Sequence, residues 1–173
     1  LTTTTEHTTQ HIVHEIKDTN DVLVKTVTQD ANGKIKEEKK TTDGQVLFTV
    51  ESRPMNPVTK KVTKQRMFTN GTVTNEVVNE DNSLAYKRVK KVTENGLVID
   101  TKNEDGSTVS EVMSVETKQL VQKTAISAPD PDTGYVSKVV TDANQNENTE
   151  VSNTNGEIVS KKTRTKLSEG AFE

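Results

Sequence analysis

At 173 residues the chain has room for one domain or two small ones. Only 29% of it is hydrophobic and 3% aromatic, and mean hydropathy is -0.76, so a large apolar core is excluded. The 23 basic and 26 acidic residues are well mixed for a net charge of -3, which argues against nucleic acid as a partner. Zero cysteines exclude disulfides, thiolate catalysis and Cys-ligated zinc.

Leu, Ile, Val and Phe make up roughly a fifth of the chain, near the level at which disorder becomes the default. Yet the apolar content is mostly Val and the commonest residue is Thr. Both are β-branched and favour strands. The composition therefore predicts an ordered β protein with an undersized core.

The chain opens with "LTTTTEHTTQHIVHEIK", Thr-rich, free of Gly and set off by the turn "DTND". Residues 1–17 read as one extended N-terminal strand, and residues 21–169 as a single β domain. The three histidines, His7, His11 and His14, all fall in this opening stretch. On one extended strand His7 and His11 share a face and His14 points the other way. On a helix the three could ligate a metal, but the threonines oppose helix.

From Val27 the chain runs "VTQDANGKIKEEKKTTDGQVLFTV", two turn signals around a strand with a single large apolar residue, Ile35. Further signals follow at Asn70-Gly71, Asp81-Asn82, Asn95-Gly96, Asp105-Gly106, Thr133-Gly134 and Asn155-Gly156. Asn-Gly and Asp-Gly favour a two-residue type I′ hairpin turn, which needs positive φ at both central residues. Pro54 and Pro57 supply a turn in "RPMNPV", and Pro129 and Pro131 a loop after one more bend in "EVMSVETKQLVQKT". The expected fold is an all-β antiparallel meander of about ten to twelve strands, as a thinly cored sheet or sandwich. Two-residue turns put Lys91 opposite Asp100, Ile99 opposite Val112, Phe68 opposite Val73 and Glu150 opposite Lys161. They also put Asp100 opposite Glu111, a like-charge pair.

Two segments alternate oxygen ligands at every second position, as calcium loops do. They are "PDPDTG", with Asp130 and Asp132, and "DANQNEN", with Asp142, Asn144 and Asn146. Neither completes an EF-hand, so the two must cooperate across a hairpin to hold calcium, the one candidate cofactor. No catalytic signature is present. The glycines are single and sit in turns, no Gly-x-Ser-x-Gly motif occurs, and a polar sheet offers no apolar pocket to raise a carboxyl pKa. The chain does not read as an enzyme. Asn70-Gly71-Thr72 is a glycosylation sequon.

The Lys, Glu and Thr ladders and the hairpin rhythm resemble the freestanding sheet of spirochaete outer-surface lipoproteins. That resemblance implies a sheet solvated on both faces. "APDPDTGYV" is similar to the "E-x-x-A-P-x-G-Y" signature of Gram-positive pilin and adhesin domains. It lacks the glutamate and carries extra residues before Gly134, so no role is taken from it.

An open sheet with few apolar residues leaves edges that template another chain. The expected function is a structural subunit of an extracellular fibre, tube or surface layer, with copies of itself as partners. Residues 1–16 are the candidate donor strand, with Ile12, His14 and Ile16 on one face and Val13 on the other. The alternative is a monomeric cell-surface adhesin or carbohydrate-binding module assisted by calcium, for which the aromatics are few. No run is apolar enough to span a bilayer and no signal h-region is present. The chain is then either cytosolic or already processed, and the heavy use of Thr favours a processed chain that is extracellular or at the cell surface.

Overall fold

The computed structural model describes residues 1–7 and 11–167. Thr8–Gln10, inside the expected 1–17 strand, and residues 168–169 of the expected 21–169 domain lie outside the described residues. Every described element is a strand. In chain order they are β1 (Thr2–His7), β2 (His11–Lys17), β3 (Leu23–Asp30), β4 (Ile35–Lys40), β5 (Val46–Ser52), β6 (Val62–Phe68) and β7 (Val73–Val78). There follow β8 (Leu84–Thr93), β9 (Gly96–Asn103), β10 (Thr108–Met113), β11 (Leu120–Ile126), β12 (Val136–Asp142), β13 (Glu147–Ser152) and β14 (Ile158–Arg164). Their order in the sheet is their order in the chain, with β1 and β14 at its two ends. The meander is thus longer than ten to twelve strands. One reason is that the N-terminal segment folds back into two strands, with Thr5 opposite His14.

The hairpin turns are not the two-residue type I′ form. In eight loops among the described residues, the strand-end residue accepts from the N–H three positions on and donates to the carbonyl four positions on. Asp30, for example, accepts from Gly33 and donates to Lys34. Only the fourth residue has positive φ, as at Gly33, Asn82 and Gln145, while Asn32 and Asp43 do not. This is a type I turn followed by a left-handed residue, the three-residue hairpin loop whose bulge matches the strand twist. The first residue of the turn often braces it with its own side chain. Asp30 Oδ1 accepts from the backbone N–H of Asn32 and of Lys34, both at 2.9 Å.

The extra loop residue shifts register by one. Ile99 faces Glu111 rather than Val112, and Met67 rather than Phe68 faces Val73. Asp100 faces Ser110, whose hydroxyl donates to it at 2.6 Å, so the expected clash with Glu111 does not arise. Glu150 does face Lys161, because a bulge between Val151 and Ser152 restores the register that the loop displaced. Lys91 and Asp100 form an ion pair at 3.3 Å.

The chain divides into two compact units, Leu1–Lys87 and Arg88–Glu173. Within each unit no described strand packs face to face on another; strands meet only their ladder neighbours. The consequence is thin burial. The chain exposes 11695 Å², against about 8400 Å² expected for a compact monomer of its mass. Among the described residues no side chain is fully buried, and the core consists of Val50, Val78 and Ala85 in the first unit and Leu97 and Ile99 in the second.

Residues directly opposite share a face, so register assigns the two faces of the first unit. One carries Val27, Glu37, Val50, Arg66 and Thr74 across β3 to β7, with Phe48 opposite Phe68. The Phe48 and Phe68 rings lie 5.5 Å apart, and the Arg66 guanidinium sits 5.2 Å from the Phe48 centroid. These contacts bury apolar surface under long charged stems instead of under a second layer. The other face is polar: Thr28, Lys36, Glu51, Gln65 and Asn75 form one row, with Gln65 donating to Asn75 at 2.8 Å. The nearly apolar-free β4 therefore serves both faces. Glu37 pairs with Lys25 at 2.8 Å on one, and Lys36 with Glu38 at 3.0 Å on the other.

The strands repeat with a period of six. β9 (Gly96–Asn103) begins 73 positions after β3 (Leu23–Asp30), and β10 begins 73 after β4, each pair equal in length. One residue is added in the next loop, after which β11, β12 and β13 begin 74 positions after β5, β6 and β7, again with equal lengths. The bulge at Lys39/Lys40 recurs at Val112/Met113. The turn Asn56–Lys61 recurs as Asp130–Tyr135; in each the first residue's side chain accepts from the two backbone N–H groups two and three positions on. The ion pair Glu76–Lys87, 2.8 Å, recurs as Glu150–Lys161, 2.9 Å. Pro57, Thr59, Val62 and Lys64 match Pro131, Thr133, Val136 and Lys138. Agreement of lengths, registers, bulge and ion pair marks an internal repeat of one six-strand module.

Candidate assembly interface

The two end strands are the surfaces with unused backbone. All six residues of β1 and all seven of β14 are exposed. Among the described residues each strand is hydrogen-bonded on one side only, β1 to β2 and β14 to β13. Such an edge presents a row of free N–H and C=O groups. β14 adds positive charge through Lys161, Lys162 and Arg164, of which Lys161 pairs with Glu150 and Arg164 with Glu147.

The expected donor residues stand elsewhere. Ile12, Val13, His14 and Ile16 lie on β2, which pairs with β1 on one side and β3 on the other. Its backbone is already committed within the chain. The unused edge belongs to β1. The hairpin also redistributes the histidines. His7 faces Ile12 and so shares a face with His14, whereas His11 is on the opposite face. The Thr5 hydroxyl lies 2.9 Å from His14 Nδ1.

Asp130 and Asp132 sit in the β11–β12 loop, Asp142 ends β12, and Asn144 and Asn146 lie in the β12–β13 loop. The seven-residue β12 separates the loops, which places them at opposite ends of the strand, about 20 Å apart. They do not converge on one ion. Their carboxylates brace their own turns: Asp130 accepts from the N–H of Asp132 and Thr133 and from the Thr133 hydroxyl. Asp142 accepts from the N–H of Asn144 and Asn146 and from the Asn146 amide. Among the described residues no group of three or more His, Asp or Glu is placed to hold a metal. Calcium, or its removal with chelator, is expected to leave the thermal midpoint unchanged. A rise of several degrees with calcium would instead assign an ion to one of the loops.

These bracing bonds depress carboxyl pKa values. The Asn146 amide holds Asp142 below the usual carboxylate range, the Thr133 N–H does so for Asp130, and the Ser83 and Ser107 hydroxyls for Asp81 and Asp105. The Lys161 ammonium does the same for Glu150. A depressed folded pKa contributes stability above the unfolded value, which is lost as pH falls through the folded one. Urea midpoints are therefore expected to hold steady near neutrality and to drop once pH falls below the ordinary Asp and Glu values. Asp142→Asn keeps an acceptor at the turn, so its midpoint is expected to depend less on pH than that of the wild-type chain. An unchanged pH profile would remove Asp142 from that account.

Shallow clefts lie on the sheet. One of about 550 Å³ in the first unit is lined by Leu1, Ile16, Val24, Lys39 and Phe48. Another of about 400 Å³ runs over β12 to β14 between Lys138, Glu150 and Lys162. A further one, about 540 Å³, is built by the β11–β12 loop with Pro129, Pro131, Tyr135 and Asp105.

No family model matches the chain, and no curated protein is similar to it. Sequence reading missed the internal repeat, although "NPVTKKVTK" and "DPDTGYVSK", 74 positions apart, carried the signal.

Proposed function

We propose that the chain is a structural subunit of an extracellular fibre, tube or surface layer, joined to copies of itself by β-strand pairing. The observation that carries this reading is the pair of end strands, β1 and β14, each paired on one side only among the described residues and exposed at every residue. A sheet without a covering layer gains little from burial, so further stabilisation comes most directly from extending its ladder. The polar row on one face, with charged stems over the apolar row on the other, supports the same role. It keeps the faces solvated and directs association to the ends, where backbone groups are unsatisfied. The lack of cysteine and the abundance of Thr fit an exported chain that does without disulfides.

A second reading, a monomeric adhesin or carbohydrate-binding module, is favoured by the Tyr135 cleft, where one partly exposed ring stands beside two prolines and Asp105. The two readings part under negative-stain electron microscopy at micromolar concentration. Filaments, tubes or ordered layers are expected from a subunit. Uniform monomers across a concentration series would overturn that reading and turn attention to the cleft.

A further inference from the structure

We propose that copies of the chain join by exchanging hairpins: β13–β14 of one copy pairs with β3 of the next, in the place of that copy's own β1–β2. This rests on the preceding reading that subunits associate through strand pairing, and it names the partner strand and the register.

The six-strand period makes β14 equivalent to β8 and to β2, and β13 equivalent to β7 and to β1. β8 begins 73 positions after β2 and β14 begins 74 after β8; β1, β7 and β13 each have six residues and β2 and β14 each have seven, whereas β8 extends to ten and β7 begins 71 positions after β1. In this chain β2 continues to β3 on its far side, with Val13 opposite Thr28 and Glu15 opposite Thr26. The corresponding side of β14 has no strand among the described residues. A β3 strand is therefore the occupant that the repeat assigns to that edge, and another copy of the chain supplies one.

Within the hairpin to be displaced, β2 is held to β3 along its whole length, from His11 opposite Asp30 to Lys17 opposite Leu23, while β1 adds little. All six residues of β1 are exposed, and β1 meets only β2. Exchange replaces one ladder of seven-residue strands by another of the same length, so few backbone hydrogen bonds are lost. The edge of β14 is then covered while the β3-facing edge of β2 is released, so the backbone bonds balance and concentration sets how far association proceeds. Transferring the β2–β3 register by the two repeat shifts, 73 and then 74, puts Ser160 opposite Thr28, Lys161 opposite Val27 and Lys162 opposite Thr26. Across β3, Val27 faces Glu37 and Thr26 faces Glu38. The two lysines thus approach two glutamates one strand further on, an attractive arrangement that the displaced β2, with His14 and Glu15 at those positions, does not offer.

The absence of cysteine makes the register directly readable. Ser160→Cys and Thr28→Cys are placed in separate molecules, mixed at the concentration that gives assembled material, and oxidised. Disulfide-linked peptides are then quantified by mass spectrometry. Links between Ser160→Cys and Thr28→Cys molecules are expected about tenfold above those from Ser160→Cys mixed with Thr26→Cys, since diagonal positions lie too far apart to bridge readily. Lys162→Cys with Thr26→Cys provides a second pair in the same register, and circular dichroism checks that each variant keeps its sheet. Assembled material without enrichment of either in-register pair overturns hairpin exchange but leaves strand pairing standing. No assembled material at any concentration overturns both.

Discussion

Gly96→Ala is expected to destabilise the second unit by about 3 kcal/mol, well beyond the effect of alanine at the loop glycines. Gly96 has φ of +129°, outside the left-handed helical region that Asn or Asp can occupy at modest cost. A Cβ at this position would run into the backbone carbonyl oxygen of Met113, on the neighbouring strand β10. Backbone cannot swing aside as a side chain can, so either the β8–β9 turn or the β9–β10 ladder must give. Gly96 also immediately precedes Leu97 and lies three positions before Ile99, two of the few buried apolar residues. Displacing the turn loosens that cluster. Gly44 gives the comparison: φ is +83° and a Cβ there meets nothing within 4 Å, so Gly44→Ala is expected to cost only about 1 kcal/mol of backbone strain. Urea unfolding of both variants measures the difference. Equal midpoints would mean that the Gly96 backbone relaxes without disturbing β10.

Ile99→Ala is the second large effect, an expected loss of about 2 kcal/mol, at the low end for a buried aliphatic residue. Ile99 is 7% exposed, the lowest value among the core residues. The low end applies because within the second unit no described strand packs over the site, so neighbouring charged stems and water can occupy part of the vacated volume. Val159 on β14 is 49% exposed, and Val159→Ala is expected to change stability by less than about 0.5 kcal/mol. Denaturation by urea separates these cases. A loss of about 4 kcal/mol or more at Ile99 would mean a far better enclosed core than burial indicates.

Much of the fold was legible because turn chemistry acts locally. Each Asn-Gly and Asp-Gly pair marks a reversal, and the Thr and Val between them favour strands, so an antiparallel meander followed without long-range information. The turn type was not legible. Asn32-Gly33 satisfies both the two-residue and the three-residue loop, since Gly accepts positive φ in either. The choice moves every cross-strand partner by one, which is why Ile99 came to face Glu111. Glu150–Lys161 survived only through a compensating bulge.

The candidate site divides in the same way. The sequence pointed to the Thr-rich N-terminus as an associating element. It could not tell that residues 1–17 fold back on themselves, because the hairpin bonds joining Thr5 to His14 depend on neither a Gly nor a Pro. Nor could residue spacing tell that Asp130 and Asp142 stand at opposite ends of β12, since a short separation in sequence becomes the full length of a strand.

By itself, then, the sequence determined the strand class, the punctuation and the thinness of the core, all of which follow from local propensity and composition. Only the tertiary structure decided the register, the residues that are buried, the strands left with an open edge and the six-strand repeat. Those properties depend on pairing between residues distant in sequence, where a displacement of one position exchanges the two faces of a strand.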